Sequence, residues 1–460
     1  MRVLLLGTGP LPYEDPSYLG FPQLRTHQAL LALLGAGHEV ELCLVQDTED
    51  ALRRVLVPAY PAPFACMAIR PQSLHGLERL RELRRRFEPD VVVTAGPYEP
   101  ARLGPLVVED EPLWVDVPGD PFAEAQAKQA HQPAQDPTLN MRAAYAGAYA
   151  RADAFGVISH AQRHALLGQL GWLGRLGQGP VEQERVFVVP AGMDFGTLDA
   201  APPRVRAPES DLVVALSGGY NTWLDADTLL EGLLLAMRSC SGLRVVSTGG
   251  AIEGHHNATY EAFRAQALSS PFGRRFTFHG WVPHSVLPGL LSRAHLGVCL
   301  DRPGYEPELG TRTRVVFFLH QGLDVVATPC SDLTRELAGI RMIAPVRPGD
   351  PEHLAEVLVR AWREGSDGST AERGQAYLQS RYGVDRCFRR LLSWVDEPAR
   401  LPAAEPPSAG LAAEVERLRA ELDAVYTSPT WRAAGRAQGI LKRGATRVGK
   451  MLGSKENEEI

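Results

Sequence analysis

Short apolar segments alternate with helical patterns along most of the chain, and the whole alternation occurs twice. In the first half, strands are predicted at Val3–Leu6, Val40–Val45, Asp90–Thr94, Leu113–Val117, Ala154–Ile158 and Val186–Val189. In the second half, strands are predicted at Leu212–Ser217, Leu243–Thr248, Phe276–His279, Leu296–Leu300, Asp324–Ala327 and Met342–Ala344. Several of these segments are apolar throughout, which is typical of strands buried on both faces of a parallel sheet.

Helical patterns lie between the strands. The clearest are at Leu24–Leu34, Ala226–Met237, Thr259–Ala267, Val286–Ser292, Thr313–Gln321 and Pro351–Arg363. Two successive series of strand and helix predict an α/β fold with two doubly wound, Rossmann-like domains that face a cleft. Ligands of such folds bind beyond the carboxyl ends of the strands, so the cleft is the expected site.

Changes in composition predict the domain boundaries. The first domain is expected at residues 1–198 and the second at 212–395, with a proline- and charge-rich linker at 199–211. A second proline-rich linker at 396–410 precedes a helical, coiled-coil-like tail at 411–460. The apolar residues of that tail are spaced alternately by four and three positions, at Leu411, Val415, Leu418, Leu422 and Val425.

Composition excludes several classes of function. Hydrophobic residues are 45% of the 460, and the net charge of -6 argues against a nucleic-acid partner. Only four of the 48 basic residues are lysines, so a bound phosphate would be held mainly by arginines, hydroxyls, amides or backbone N–H groups. The six cysteines are widely spaced and predict no zinc site. The sequence shows neither a signal peptide nor an apolar stretch long enough to span a membrane, which predicts a cytoplasmic protein.

Two glycine-rich loops follow predicted strands. Gly7-Thr-Gly9 resembles the start of a dinucleotide-binding loop, but Pro12 replaces its third glycine, so a nicotinamide or flavin cofactor is not expected. In the second domain, residues 217–222 read Ser-Gly-Gly-Tyr-Asn-Thr before a helix. Such a loop provides a place for an anion. A tight β–α turn that needs two glycines for its backbone explains it equally well.

Two charged segments of the second domain also have two interpretations each. Asp225-Ala-Asp227 matches a metal-binding DxD pattern, but it stands at a helix start, where aspartate is favoured as a cap. The segment Glu306–Arg314 groups glycine, hydroxyls and arginines where a helix opens, which suits a diphosphate. The alternative is a solvated helix face on which the arginines pair with Glu306 or Glu308.

Taken together, these features resemble the GT-B glycosyltransferases, and most closely the large nucleotide-sugar-dependent family 4 type. The resemblance covers about residues 1–395. It rests on Gly218-Gly219, on Gly249-Gly250 after the next strand, and on the segment Phe278-His-Gly-Trp-Val-Pro283. It implies an enzyme that transfers a sugar from a nucleotide-sugar donor to an acceptor hydroxyl, with retention of configuration and without a metal or other cofactor.

The donor signature differs from that family in two ways. The family's two glutamates would fall at Leu309 and Phe317, and its arginine–lysine pair is replaced by residues of the 220–222 loop. The resemblance therefore assigns a variant donor site to Gly218, Gly219, Asn221, Thr222, Gly310, Thr311 and Arg312, with Glu308 as a catalytic residue near the transferred sugar.

The first domain is expected to bind the acceptor. Asp116 lies near the end of the fourth predicted strand and Asp120 follows it. Both are candidates for orienting the acceptor hydroxyl or acting as its base, although Asp120 also suits a helix cap. Other acceptor-side candidates are Gly20, Arg25, Tyr98 and Glu124.

The resemblance implies a role in bacterial cell-surface polysaccharide or glycolipid synthesis, with a glycan or lipid-linked acceptor. Two alternatives are another GT-B enzyme, such as a nucleotide-sugar epimerase, and a non-catalytic glycosyltransferase-like subunit. In the tail, residues 429–453 hold six basic residues and no acidic one, which predicts peripheral contact with the inner face of the plasma membrane. A solvated tail or an oligomerisation stalk is the alternative there.

Overall fold

The computed structural model describes residues 1–129, 137–176, 184–194, 200–252, 258–401, 417–421, 424 and 428. Residues Met1–Pro406 form one compact unit and Pro407–Ile460 a second. In the second unit, residues 417–421 are helical and Arg417 pairs with Glu421. Most of the predicted coiled-coil stripe, and all of the basic segment 429–453, lie outside the described residues.

The first half of the large unit is built around an eight-stranded sheet. Its strands are β1 (Arg2–Thr8), β2 (Glu39–Val45), β3 (Asp50–Val55), β4 (Phe64–Ile69), β5 (Val91–Thr94), β6 (Leu113–Val117), β7 (Ala154–Val157) and β8 (Val186–Val188). The order across the sheet is β3-β4-β2-β1-β5-β6-β7-β8, and only β3 is antiparallel to its neighbour. Helices cover both faces: α1 (Phe21–Gly35), α2 (Leu74–Phe87), α3 (Glu99–Val107), α4 (Pro121–Gln129), α5 (Pro137–Arg151) and α6 (His160–Trp172).

The second half is built around a six-stranded parallel sheet in the order β11-β10-β9-β12-β13-β14. The strands are β9 (Leu212–Leu216), β10 (Leu243–Thr248), β11 (Phe276–Gly280), β12 (Leu296–Cys299), β13 (Asp324–Ala327) and β14 (Ala344–Pro345). The helices are α7 (Ala226–Ser239), α8 (Ala258–Ser269), α9 (Leu287–Leu291), α10 (Tyr305–Leu309), α11 (Thr313–His320), α12 (Asp332–Gly339), α13 (Pro351–Glu364), α14 (Ser369–Arg381), α15 (Val384–Cys387) and α16 (Arg389–Asp396).

The predicted fold class is confirmed for the large unit. Both sheets are doubly wound, and each of the twelve predicted strands and six predicted helices overlaps an observed element. In each sheet the chain order reverses beside the first strand, at β1 and at β9. Crevices form beyond the carboxyl ends of strands at such reversals, so the topology alone directs a ligand to the space between the sheets.

The last helices return to the first sheet. Phe388 and Trp394, from the end of the predicted second domain, are buried in the same hydrophobic core as Trp114 of β6. The Trp114 and Trp394 rings lie 5.5 Å apart. The guanidinium of Arg25 lies 4.6 Å from the ring centre of Phe388, so the C-terminal helices tie the two halves together.

Candidate active site between the two sheets

A cleft of about 480 Å³ lies between the two halves of the large unit, and loops from the carboxyl ends of strands in both sheets line it. The two halves also touch beside it. The Ser159 hydroxyl, at the start of α6, donates to the Leu309 carbonyl at 2.6 Å. Asp15 accepts hydrogen bonds from the backbone and hydroxyl of Ser285 at 3.1 and 2.7 Å. These hydrogen bonds fix the two walls of the cleft relative to each other.

Two glycine turns line the side of the cleft that the second half forms. Gly218 and Gly249 both have positive φ, at 88° and 89°. A Cβ on Gly249 would lie 2.2 Å from the Gly218 carbonyl oxygen, so only glycine allows the two turns to approach this closely. Behind them, the Thr248 hydroxyl donates to Ser217 at 3.1 Å. The turns therefore bring backbone and hydroxyl groups of two adjacent strands to one spot in the cleft.

The structure brings most of the predicted donor residues to the cleft. The following predicted residues line it: Gly218, Gly219, Asn221, Gly310, Thr311 and Arg312. Thr222 is buried and is not among the lining residues. The Asp225 side chain accepts from the Thr228 backbone at the start of α7, and Asp227 pairs with Arg302 at 2.7 Å. The helix-cap interpretation of these two aspartates therefore describes their geometry.

Arg312 lines the cleft, but its guanidinium is already engaged. Nε donates to Asp301 at 2.6 Å and Nη2 donates to Glu306 at 2.7 Å. Nη1 donates to the Thr311 carbonyl at 2.8 Å. Because two carboxylates compensate one guanidinium, Arg312 is not available as the diphosphate ligand that the sequence suggested. Its contact with both carboxylates fixes their positions in the cleft wall.

Arg314 lies beside the glycine turns. It stands in the first turn of α11 and donates from Nη2 to the Gly219 carbonyl at 2.7 Å. A Cβ placed on Gly218 would lie 3.7 Å from the same nitrogen. Since Arg314 also lines the cleft, it can reach an anion that rests on the turns. The first-turn N–H groups of α11 add to the positive potential there.

Glu306, rather than Glu308, is the glutamate of α10 that reaches the cleft. Glu308 is exposed and is not among the lining residues. The two side chains are two positions apart on a helix, which turns them by about 200° relative to each other. Burial raises the pKa of Glu306 to about 7, in spite of Arg312, and the charges of Asp301 and Glu124 add to the rise.

Across the cleft from Glu306 lies a cluster of three side chains from the first half: Tyr98, Glu124 and Lys128. Lys128 lies 2.8 Å from the Glu124 carboxylate and 3.5 Å from the Tyr98 hydroxyl. Burial, and then the neighbouring Glu124, raises the pKa of Tyr98 well above its ordinary value. Tyr98 also has a φ of 62°, which is unusual for a bulky residue. Strained backbone of this kind is concentrated at functional sites.

Other acceptor-side candidates have different surroundings. Asp116 and Arg25 form a buried bidentate pair at 2.8 Å, and neither is among the residues that line the cleft. Asp116 therefore is not placed to act on a substrate, because its charge holds the core arginine. Asp120 does line the cleft, but it caps α4 by accepting from the Ala123 backbone at 2.8 Å. Gly20 lines the cleft at the start of α1.

Several lining residues were not singled out from the sequence. They include Lys128, Asp194 and Asp301. Trp281 and Arg314 also line the cleft; both lie in segments that the sequence singled out, but neither was assigned as a site residue. Lys128 is the only lysine before residue 442, and this rarity could have indicated it as a candidate site residue. Asp301 directly follows a predicted strand and could have been found by the rule that ligands bind beyond carboxyl ends. Within the described residues, no helix is long and apolar enough to cross a membrane.

Solved structures similar to this chain share the fold of its large unit. Sucrose-phosphate synthase from Thermosynechococcus elongatus is 16% identical, with a TM-score of 0.61 over 86% of this chain and 98% of that one. HepE from Anabaena, in complex with UDP-glucose, is 15% identical, with a TM-score of 0.59 over 86% and 99%. The α,α-trehalose 6-phosphate synthase from Burkholderia multivorans is 11% identical, with a TM-score of 0.57 over 86% and 98%.

These likenesses establish the GT-B fold of the large unit and do not extend to the family 4 assignment. No protein-family model matches the sequence, and no curated protein matches it.

Proposed function

We propose that the chain is a glycosyltransferase that transfers a sugar from a nucleotide-sugar donor to an acceptor hydroxyl. One observation carries the proposal: the two glycine turns and Arg314 line one side of a cleft, and acidic and hydroxyl groups of the first half line the other. The similar folds support it, since HepE was solved with UDP-glucose.

The donor diphosphate is proposed to lie on the two glycine turns. Arg314 and the first turn of α11 face that position, and the Ser217 and Thr248 hydroxyls stand behind it. Negative charge grows on the diphosphate as the sugar departs, and fixed positive groups stabilise it most in a site that excludes water. In this proposal Arg314 does the work that the sequence assigned to Arg312, while Arg312 orients Glu306.

The reacting hydroxyl is proposed to lie between Glu306 and Glu124. Glu124 stands in α4 with Lys128 and Tyr98 around it, so its carboxylate is held in place when it accepts a proton or a hydrogen bond. Glu306 reaches the same space from the donor side. Retention of configuration, implied by the resemblance to family 4, remains part of this proposal.

Donor binding tests the function directly. Ligands that bind only the folded state raise its melting temperature, so UDP-, GDP-, ADP- and dTDP-sugars can be compared by thermal shift. At least one should stabilise the protein, and Arg314→Ala should weaken that binding by about 1.5–3 kcal/mol, the scale of a charged hydrogen bond. Arg335→Ala is the matched control, because Arg335 is an exposed helical arginine outside the cleft. Absence of any donor effect, or equal binding by Arg314→Ala, would contradict the assignment.

We further propose that residues 429–453 bring the enzyme to an anionic membrane, where glycan or lipid-linked acceptors of cell-surface polysaccharide or glycolipid synthesis are assembled. The support is the sequence: six basic residues, no acidic one and Trp431. Each basic residue near such a surface contributes about 1 kcal/mol. The full chain should float with anionic vesicles at low salt, and a chain ending at Ala409 should not. Equal behaviour of the two would remove this role from the tail.

A further inference from the structure

The first-domain side of the cleft has a continuous apolar flank. Leu19, Phe21 and Leu24 line it, and all three side chains are only partly buried. Tyr18 extends the flank and meets Trp281 of the other half, with ring centres 4.6 Å apart. Partly exposed apolar side chains inside a cleft are typical of a surface that receives a ligand.

Two polar clusters lie on the same side of the cleft. Lys128 lies 2.8 Å from Glu124. His27 lies 3.1 Å from Asp194, and its other ring nitrogen lies 2.8 Å from the Tyr60 hydroxyl. A phosphate that paired with Lys128 would have to displace the Glu124 carboxylate, and it would also meet the carboxylates of Asp194 and Glu306, which line the same cleft. A buried charge left without its partner, or two like charges placed close together, strongly disfavours the binding of a ligand.

We infer that the acceptor is an uncharged, hydroxyl-bearing molecule with an apolar group, and that sugar phosphates are excluded. The apolar group packs on Leu19, Phe21 and Leu24, and the hydroxyl reaches Glu124 and Tyr98. This inference rests on the proposed sugar transfer and narrows its acceptor. It sets the chain apart from structural neighbours whose names include a sugar phosphate.

Three matched acceptors test the inference with the full chain. They are phenyl β-D-glucopyranoside, the same compound with a 6-phosphate, and methyl β-D-glucopyranoside. Release of the nucleotide is measured with the nucleotide sugar that gives the largest thermal shift. We expect kcat/KM for the phenyl glucoside to exceed that of its 6-phosphate by about tenfold or more, because the cleft opposes the added negative charge. The methyl glucoside should be the weaker of the two neutral acceptors, because it lacks the apolar ring.

A loop variant separates the apolar contact from the rest of the site. Leu19→Ser should raise KM for the phenyl glucoside and leave KM for the methyl glucoside nearly unchanged. Leu56→Ser is the control, because Leu56 is 77% exposed and is not among the lining residues. Equal or better use of the 6-phosphate overturns the inference. So does a failure of the phenyl glucoside to accelerate nucleotide release while the donor binds. If no nucleotide sugar binds at all, it is the proposed function that fails.

Discussion

Replacing Glu306 by glutamine should stabilise the protein at alkaline pH. In the folded protein the pKa of Glu306 is about 7, compared with its usual 4.5. The unfolded chain therefore loses this proton at lower pH than the folded one does. As the pH rises from 4.5 to 7, the free energy of unfolding therefore falls. A difference of about 2.5 between the folded and the unfolded pKa corresponds to a loss of about 3 kcal/mol. Glutamine resembles the protonated acid and never incurs this cost.

The measurement is the free energy of unfolding of both proteins at about pH 5 and about pH 8. At the lower pH the two should differ little. At the higher pH, Glu306→Gln should be the more stable by up to about 3 kcal/mol, with a melting temperature several degrees higher. Sugar transfer at the same pH should fall by about tenfold or more, since a proton-transfer or charge-stabilising group is lost. A variant that is more stable but less active identifies a residue kept for function.

Glu308→Gln provides the matched control, because Glu308 stands on the same short helix and is exposed. Its stability should not differ from the wild type at either pH. The reasoning is refuted if Glu306→Gln changes stability equally at both pH values, or if it is the less stable protein at about pH 8. Either result would show that the Glu306 carboxylate gains more from Arg312 than it loses by burial.

Two further variants probe the supports of the site. Arg312→Ala leaves Asp301 and Glu306 without their shared cation, so it should lower the free energy of unfolding by about 3–5 kcal/mol, measured by denaturant titration at neutral pH; a loss as small as that of a surface arginine would contradict the buried geometry. Gly249→Ala places a Cβ 2.2 Å from the Gly218 carbonyl oxygen and forces φ of 89° on an alanine, so it should lower the melting temperature. Gly289 lies in a helix, and apart from that helix a Cβ added there would have no atom of the described residues within 4 Å. Gly289→Ala should therefore leave the melting temperature unchanged or raise it.

The sequence predicted the strands of both sheets because most of them are continuously apolar and buried. It missed β3 and β4, for physical reasons. Four of the six side chains of β3 are exposed, and it is held at the edge of the sheet by antiparallel pairing with β4. β4 has the sequence Phe-Ala-Cys-Met-Ala-Ile, with no valine or threonine and only one isoleucine, so its strand propensity is weak.

The site was predictable where the backbone alone determines it. Glycines after a strand indicate close approach, and both glycine turns line the cleft. Side-chain direction was not predictable in the same way. Glu306 and Glu308 belong to a five-residue helix, too short for an apolar pattern to show which face is buried. Arg312 suited a phosphate until the structure showed Asp301, eleven positions earlier, bonded to it.

The arrangement around Arg312 connects the proposed donor side of the cleft with the proposed acceptor side. Asp301 follows β12, Glu306 stands on α10, and Arg312 directly precedes α11, so a single guanidinium joins three segments of the second half. Because Arg312 contacts both carboxylates, a shift of α11 on donor binding would move Glu306 with it. Glu306 in turn interacts electrostatically with Glu124 of the first half. Under the proposed function, a donor on the glycine turns would therefore influence Glu306 through Arg312, and this effect requires the contact between Glu306 and Arg312.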